Sequence, residues 1–237
     1  MSDAPGSLLH LDSSHAADSV TRTLTGLFAD TWRRAHGAAG YRYRNLAADP
    51  VPLIGPGYIS LGRRLEHDGL VAAADVAAQV QNPDEEREWA LSLPLITEVL
   101  TAHTVLIGAP MYNFTVPTAL KAWIDRVSFP GAFLEPESRT RLLNGTRVVL
   151  VVARGGCYHP GAPREGFDFQ VPYLQAYFRN LGIAEADLHV IAADATLAPD
   201  MPYLARYREL AADSLAAARS ALVSLAAESA LLTASSR

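Results

Sequence analysis

The chain has 237 residues, 49% of them hydrophobic and 19% charged, with a formal net charge of -5. That composition fills a sizeable core and excludes global disorder, and the acidic balance offers no bulk attraction to nucleic acid or to an anionic membrane. The single cysteine, Cys157, excludes an internal disulfide and any cysteine-based zinc cluster, so no metal centre is expected.

Taken in order, the chain opens on a segment, 1–7, with no basic residue and no apolar run, which does not read as a secretion signal. No stretch approaches 18 apolar residues, so no membrane span is expected, and a cytoplasmic location is the default. The first apolar run, 8–11, reads as a buried strand, followed by a helical stripe over 19–36 carrying Leu24, Leu27, Phe28 and Trp32. Ser19 suits its N-cap and Gly37 its stop. Residues 41–46 alternate Tyr and Leu with Arg and Asn, the pattern of an edge strand with one wetter face.

Residues 52–83 break the rhythm with Pro52, Gly55, Pro56, Gly57, Gly62, Gly69 and Pro83. They read as a long connection with a short helix near 70–81, serving as a lid or an interface segment. A helix over 84–102 follows, opened by acidic residues that suit its N-terminus. Then come a strand at 104–109, a helix at 118–127 after Pro117, a strand at 147–153, a helix at 171–181 and a strand at 188–193. The alanine-rich 200–232 reads as a docked surface helix, with 219–237 as its extended end and tail. This alternation predicts a single α/β domain spanning 1–237, a five-stranded parallel sheet with helices on both faces. Its order would be 2-1-3-4-5, with ligands at the carboxyl ends of the strands.

Three loops at that edge carry chemistry. The first runs from Asp12 to Thr21; its turn into a helix makes an anion site, to which the hydroxyls of Ser13, Ser14, Ser19 and Thr21 add donors, with Arg22 as a helper. Read alone, it is equally well an N-cap with a serine-rich turn. Neither a P-loop nor a Gly-x-Gly-x-x-Gly pattern is present. The second, Pro110-Met111-Tyr112-Asn113-Phe114-Thr115-Val116-Pro117, places apolar and aromatic side chains with one amide where solvated residues are usual, as a flat ligand requires. Its plainer reading is packing under 52–83. The third, Arg154-Gly155-Gly156-Cys157-Tyr158-His159, holds adjacent glycines that let the backbone approach a ligand, or simply make a flexible turn. Cys157 is expected to be inert and His159 an ordinary loop residue.

The run Pro110-Met111-Tyr112-Asn113-Phe114-x-x-Pro117-x-x-Leu120-Lys121-x-Trp123-Ile124-Asp125 resembles the flavin-edge motif of the FMN-dependent NADH azoreductases, also called quinone reductases. Ala153-Arg154-Gly155-Gly156 resembles that family's Ser-Arg-Gly-Gly turn, and Asn45-Leu46-Ala47-x-x-Pro50-Val51-Pro52 its segment after the second strand. The resemblance implies a flavodoxin-like fold, a homodimer with the active site near its interface, FMN as cofactor, NADH or NADPH as donor, and a ping-pong cycle ending on a small aromatic quinone or azo acceptor. It further implies that Ser13 or Ser14, with Ser19, Val20 and Thr21, holds the FMN phosphate. Pro110, Met111, Tyr112, Asn113 and Phe114 would hold one side of the ring, and Ala153, Arg154, Gly155 and Gly156 the other. Phe133 and Tyr158 would wall the substrate pocket, and no side chain is assigned acid–base work. The chain departs from the family in a phosphate loop one residue shorter, in Ala153 where a serine is usual, and in the content of 129–135. The alternative is a non-catalytic flavodoxin-type electron carrier or flavin-binding protein; a hydrolase is unsupported, since no Gly-x-Ser-x-Gly or His-Glu-x-x-His occurs.

Overall fold

The computed structural model describes residues 6–235, with side chains through residue 228. Most of the 1–7 segment and the last two residues of the 219–237 tail lie outside the described residues.

Five strands, β1 (Leu8–Asp12), β2 (Tyr41–Asn45), β3 (Thr104–Pro110), β4 (Arg147–Ala153) and β5 (Leu188–Ala193), pair all-parallel in the order β2-β1-β3-β4-β5. The central strands are buried almost throughout because both faces are covered. Alternation then decides which residue meets which layer. Leu9, Leu11, Val105, Ile107, Leu150 and Val152 face α3 (Pro83–Leu100), α4 (Thr118–Val127) and α5 (Gln170–Asn180). Leu8, Leu106, Val149 and Val151 face α1 (Val20–His36) and α6 (Arg208–Ser235), meeting Leu24, Phe28 and Trp32 of the one and Leu222 of the other. Edge strand β2 keeps a wet face, as its alternation predicts.

The stretch Pro202–Glu228 is long and apolar enough to cross a membrane by length and composition. Here Ala211, Ala218, Leu222 and Ala226 are buried within the fold, and Leu222 alone contributes about 1.5–3 kcal/mol by leaving water. The helix begins at Arg208, after a 3-10 segment over Pro202–Tyr207, rather than at 200.

The 52–83 connection is more ordered than its glycines suggest. An α-helix, α2 (Pro56–Asp68), occupies its first half, and a 3-10 turn over Ala73–Gln79 lies where a short helix is predicted. The glycines that hide α2 in the sequence exist for packing. A Cβ on Gly57 would lie 2.7 Å from the Asp84 carbonyl, and one on Gly62 would press on Pro130 at 3.3 Å. Pro56 takes the first helical turn, where its missing N–H costs nothing.

A buried carboxylate fastens α2 to α3. Glu85 accepts from Arg64 (Nη2 2.6 Å), from the Ser60 hydroxyl and from the Gln81 amide. Arg64, with these other donors, holds the Glu85 carboxyl down at about 2 against an ordinary 4.5. A depressed carboxyl stabilises the fold above its unfolded value and ceases to do so as pH falls through its folded one. Thermal midpoints are therefore expected to drop as pH is lowered from about 4.5 towards 2, and Glu85→Gln should flatten that part of the profile; an unchanged slope in the variant would remove Glu85 from the explanation.

Candidate functional site

The carboxyl ends of β1, β3 and β4 lie side by side, since Asp12 pairs with Gly108 and Pro110 with Ala153. Asp12 is buried, and its carboxylate accepts from Thr25 (2.9 Å) and Tyr43 (3.0 Å) while His10 Nε2 lies 3.4 Å away. A Cβ on Gly108 would fall 2.4 Å from Asp12 Oδ1, so only glycine admits this carboxylate beneath the first loop.

Above it the chain turns from Ser13 to Ser19. Ser13 is fully buried, its amide and hydroxyl both donating to the Gly108 carbonyl (3.1 and 2.7 Å). Ser14 Oγ accepts from the Ala16 amide at 3.3 Å, which leaves its own proton without an acceptor among the described residues. Ser19 caps α1 by accepting from the Arg22 amide and pairs with the Thr21 hydroxyl. The amides of Ser19, Val20 and Thr21, at the positive end of α1, have no acceptor among the described residues. Arg22 donates to the carbonyls of Ser14 and Ala16 and so shapes the loop from beneath.

The second loop is a two-residue hairpin. Tyr112 and Thr115 exchange both backbone bonds, with Asn113 at φ 47 and Phe114 at φ 70. Both central residues are left-handed, the requirement of a type I′ turn, which Asn-Gly meets without strain. Phenylalanine there costs about 1–2 kcal/mol, and strain of this kind gathers at functional sites. The surroundings hold it: the Phe114 carbonyl accepts from the Phe169 amide, and its ring lies 5.4 Å from that of Phe167. Phe114→Gly is expected to be more stable than Phe114→Ala by about 1 kcal/mol, the reverse of the usual order. Chemical denaturation of the two variants checks it; alanine at or above glycine would show that no strain resides there.

The third loop begins with Arg154, whose guanidinium turns inward. It donates to both oxygens of Asp194 (2.5 and 2.9 Å) and to Asp168 Oδ2 (2.6 Å). The other Asp168 oxygen accepts from the amides of Gln170 and Val171 at the start of α5, and Gln170 Nε2 donates to the carbonyls of Ala109 and Pro110. Arg154 thus positions the walls and does not line the cleft, whereas the expectation gave it a share of the ring. The Gly155 and Gly156 amides have no acceptor among the described residues. Leu197 Cδ1 lies 2.6 Å from where a Gly155 Cβ would stand.

These loops enclose a cleft of about 320 Å³. Met111, Asn113, Phe114, Gly155, Gly156 and Tyr158 line it, bringing six of the expected residues together. Pro110 and Ala153 end their strands directly below. The phosphate-suited residues Ser13, Ser14, Ser19, Val20 and Thr21 lie beside the cleft. Tyr112 joins the two parts: its hydroxyl accepts from the His15 amide at 3.2 Å and its ring stacks on His15.

Phe133 does not join them. It is buried beside Phe129, Tyr173 and Tyr177 in another cleft of the chain, because 129–142 folds back through a Leu134–Arg141 bridge and turns this ring inward. The His159 ring meets the neighbouring Pro160 carbonyl, and its own carbonyl accepts from the Ala162 amide. Burial, with the Asp194 carboxylate adding to it, pushes the Cys157 thiol up, so it stays protonated at neutral pH. Pro163 and Arg164 extend the third loop's side, and a further wall, Leu197, Tyr203, Arg206 and Tyr207, comes from the segment after β5. Its only sequence signal is its place after the fifth strand of such a sheet.

The orphan amides at a helix N-terminus suit a phosphate, and those lining the cleft suit the polar edge of a flat ring. The described residues therefore fit a phosphorylated tricyclic group.

The profile of a family described as having a flavodoxin-like fold matches residues 7–214. Among curated proteins, an FMN-dependent NADH:quinone oxidoreductase of Nocardia farcinica is 38% identical over 201 residues, covering 85% of this chain and 88% of that protein. One of the same name from Kineococcus radiotolerans is 39% identical over 221 residues, covering 92% and 97%. Among solved structures, an azoreductase from Bacillus anthracis superposes with a TM-score of 0.74 at 18% identity, covering 93% of this chain and 98% of that one. A second, an FMN-dependent NADH-azoreductase from the same organism in complex with FMN, gives 0.71 at 20% identity, covering 93% and 99%. At these identities the structural likeness speaks for the fold.

Proposed function

Since the chain belongs to the flavodoxin-like family, alongside relatives that are FMN-dependent NADH:quinone oxidoreductases, we propose that it is an FMN-dependent oxidoreductase that passes electrons from NADH or NADPH to a quinone or azo acceptor. The observation that carries this reading is that unpaired amides at three adjacent strand ends lie in or beside one cleft whose walls are aromatic and polar together. Ser14, with the amides of Ser19, Val20 and Thr21, holds the phosphate in this reading; the Ser13 proton is committed to the Gly108 carbonyl, which supports Ser14 over Ser13. Met111, Tyr112, Asn113 and Phe114 hold one side of the ring, and the Gly155 and Gly156 amides the other.

When bound, FMN supplies two-electron storage, so that donor and acceptor use one site in turn, a ping-pong cycle. The chain's residues do the rest. The amides of Asn113, Gly155 and Gly156 present fixed dipoles to negative charge on the ring edge, with no reorganisation at the moment of transfer. Phe114 and Tyr158 wall the space where donor and acceptor stack, excluding water. The balance is NAD(P)H, a proton and a quinone giving NAD(P)+ and a hydroquinone; an azo bond needs two such turnovers to reach two amines. No side chain acts as a nucleophile.

A homodimer completes the reading. Leu53, Ile59 and Leu91 are exposed apolar side chains on the 52–63 segment and α3 that a second copy would cover, with 52–83 as the interface segment. A single domain in the cytoplasm is the setting. A non-catalytic carrier would not need the enclosed cleft. Purified protein is expected to be yellow, with about one flavin per chain, and NADH should bleach it under anaerobic conditions. Protein that stays colourless with added FMN would overturn the assignment.

A further inference from the structure

Two arginines line the cleft without belonging to the residues assigned to the flavin. Arg164 Nη1 donates to the Tyr158 hydroxyl at 3.2 Å, and its guanidinium carbon lies 5.8 Å from the centroid of Phe114. On the facing wall the Arg206 guanidinium lies 4.7 Å from the Tyr207 ring. Both line the cleft, and neither has a carboxylate oxygen within 4.0 Å among the described residues. The contrast with Arg154, paired with two carboxylates, is plain. The nearby acids make their contacts elsewhere: Asp168 and Asp194 share Arg154, and Glu165 accepts from the Gly161 amide. Arg206 also borders a second cleft with Glu209 and Asp213, neither of which has an oxygen within 4.0 Å of it among the described residues.

A guanidinium stacked on an aromatic ring is held in plane with donors still free, the arrangement that recognises carboxylate, sulfonate or phosphate groups. In a chain of net charge -5, two unpaired cations facing one space also attract anions locally.

We propose that Arg164 and Arg206 are specificity-determining residues that bind an anionic group on the aromatic ligand entering the cleft, and so favour acidic over neutral ligands. The inference rests on the oxidoreductase reading for its setting but not for its binding test. The anion has two sources, an acid substituent on the acceptor or the extra phosphate of NADPH.

The experiment compares the wild-type holoenzyme with Arg164→Gln, Arg206→Gln and the double variant, and with Arg34→Gln on α1 as a control. Anthraquinone-2-sulfonate and anthraquinone-2-sulfonamide serve as acceptors of similar shape, the first anionic and the second neutral. The ratio of their kcat/KM values is expected to fall about tenfold or more in the double variant, and rising salt should shrink the wild-type ratio. A parallel arm compares rates of flavin bleaching by NADPH and NADH; a fall in that ratio instead assigns the anion to the donor. Calorimetric titration with anthraquinone-2-sulfonate needs no turnover and decides the matter even if the protein oxidises no NADH, a result that would sink the oxidoreductase reading alone. A double variant with both ratios and the sulfonate Kd at wild-type values overturns the proposal, as would equal losses in Arg34→Gln.

Discussion

Arg154→Ala is expected to cost about 3–5 kcal/mol of stability, because it leaves two carboxylates facing one site with no cation between them. The side chains of Arg154, Asp168 and Asp194 are 11%, 18% and 14% exposed, so water replaces little of the lost pairing. At roughly 2–4 °C per kcal/mol for a chain of this size, the thermal midpoint should fall by about 10 °C. The function should fail with it. Asp168 caps α5, and Asp194 begins the segment that supplies Leu197 to the cleft; releasing both loosens two walls, so flavin retention on gel filtration should drop. Arg154→Lys restores the charge but not the three-pronged geometry and is expected to recover only part of the loss. Adding Asp168→Asn to the alanine variant removes one of the unpaired charges and should recover part by another route. A midpoint within 2 °C of wild type in Arg154→Ala would mean that water or rearrangement satisfies the two acids, and would end the account of Arg154 as the residue that positions the walls.

The sequence made the sheet legible because its central strands are buried on both faces. Continuous runs such as Val148–Val152 have no other use in a chain with this much polar surface, and the apolar runs place β1, β3, β4 and β5 within a residue or so of their ends. Helix α2 was not legible, for a local physical reason. Gly57 and Gly62 read as breakers, yet the Asp84 backbone leaves no room for a Cβ at the first and the Pro130 ring makes one tight at the second. Close packing and flexibility leave the same mark on a sequence.

The site was legible as composition and not as direction. Asn113 and Phe114 announce a ring-binding loop, but nothing in their identities says that both lie in left-handed conformation. Arg154 next to two glycines looks like a ligand-facing cation; its direction is decided by Asp168 and Asp194, 14 and 40 residues away. Phe133 lies apart from the other expected residues for a related reason, since the bridge from Leu134 to Arg141 constrains the turn that carries the ring. Ser13 and Ser14 are alike in sequence and are separated only by the Gly108 carbonyl, which takes the proton of one of them.

Arg126 shows the same effect inside the core, and its replacement is the second large loss to expect. Its side chain is completely buried on α4, within a motif that otherwise reads as apolar stripe and surface. Nε and Nη2 donate to the carbonyls of Pro52 and Leu53, while Nη1 reaches Glu88 Oε2 at 2.8 Å. One side chain thus ties the start of the 52–83 connection to both α3 and α4. Arg126→Met keeps much of the volume and strips every donor from these acceptors. The cost should be about 3–5 kcal/mol, dominated by the Glu88 charge left buried and unpaired. Were the ion pair itself the source of stability, removing its second member would change little further. Were the stranded charge the cost, Glu88→Gln in the Arg126→Met background should recover about 1–2 kcal/mol. The second outcome is expected, because a buried pair gains little over neutral packing and loses much when halved. The Pro52 and Leu53 carbonyls stay unpaired in both variants. Amide exchange should therefore quicken in 52–58 even after the second substitution, and quickening confined to α3 and α4 would place the function of Arg126 in helix packing alone.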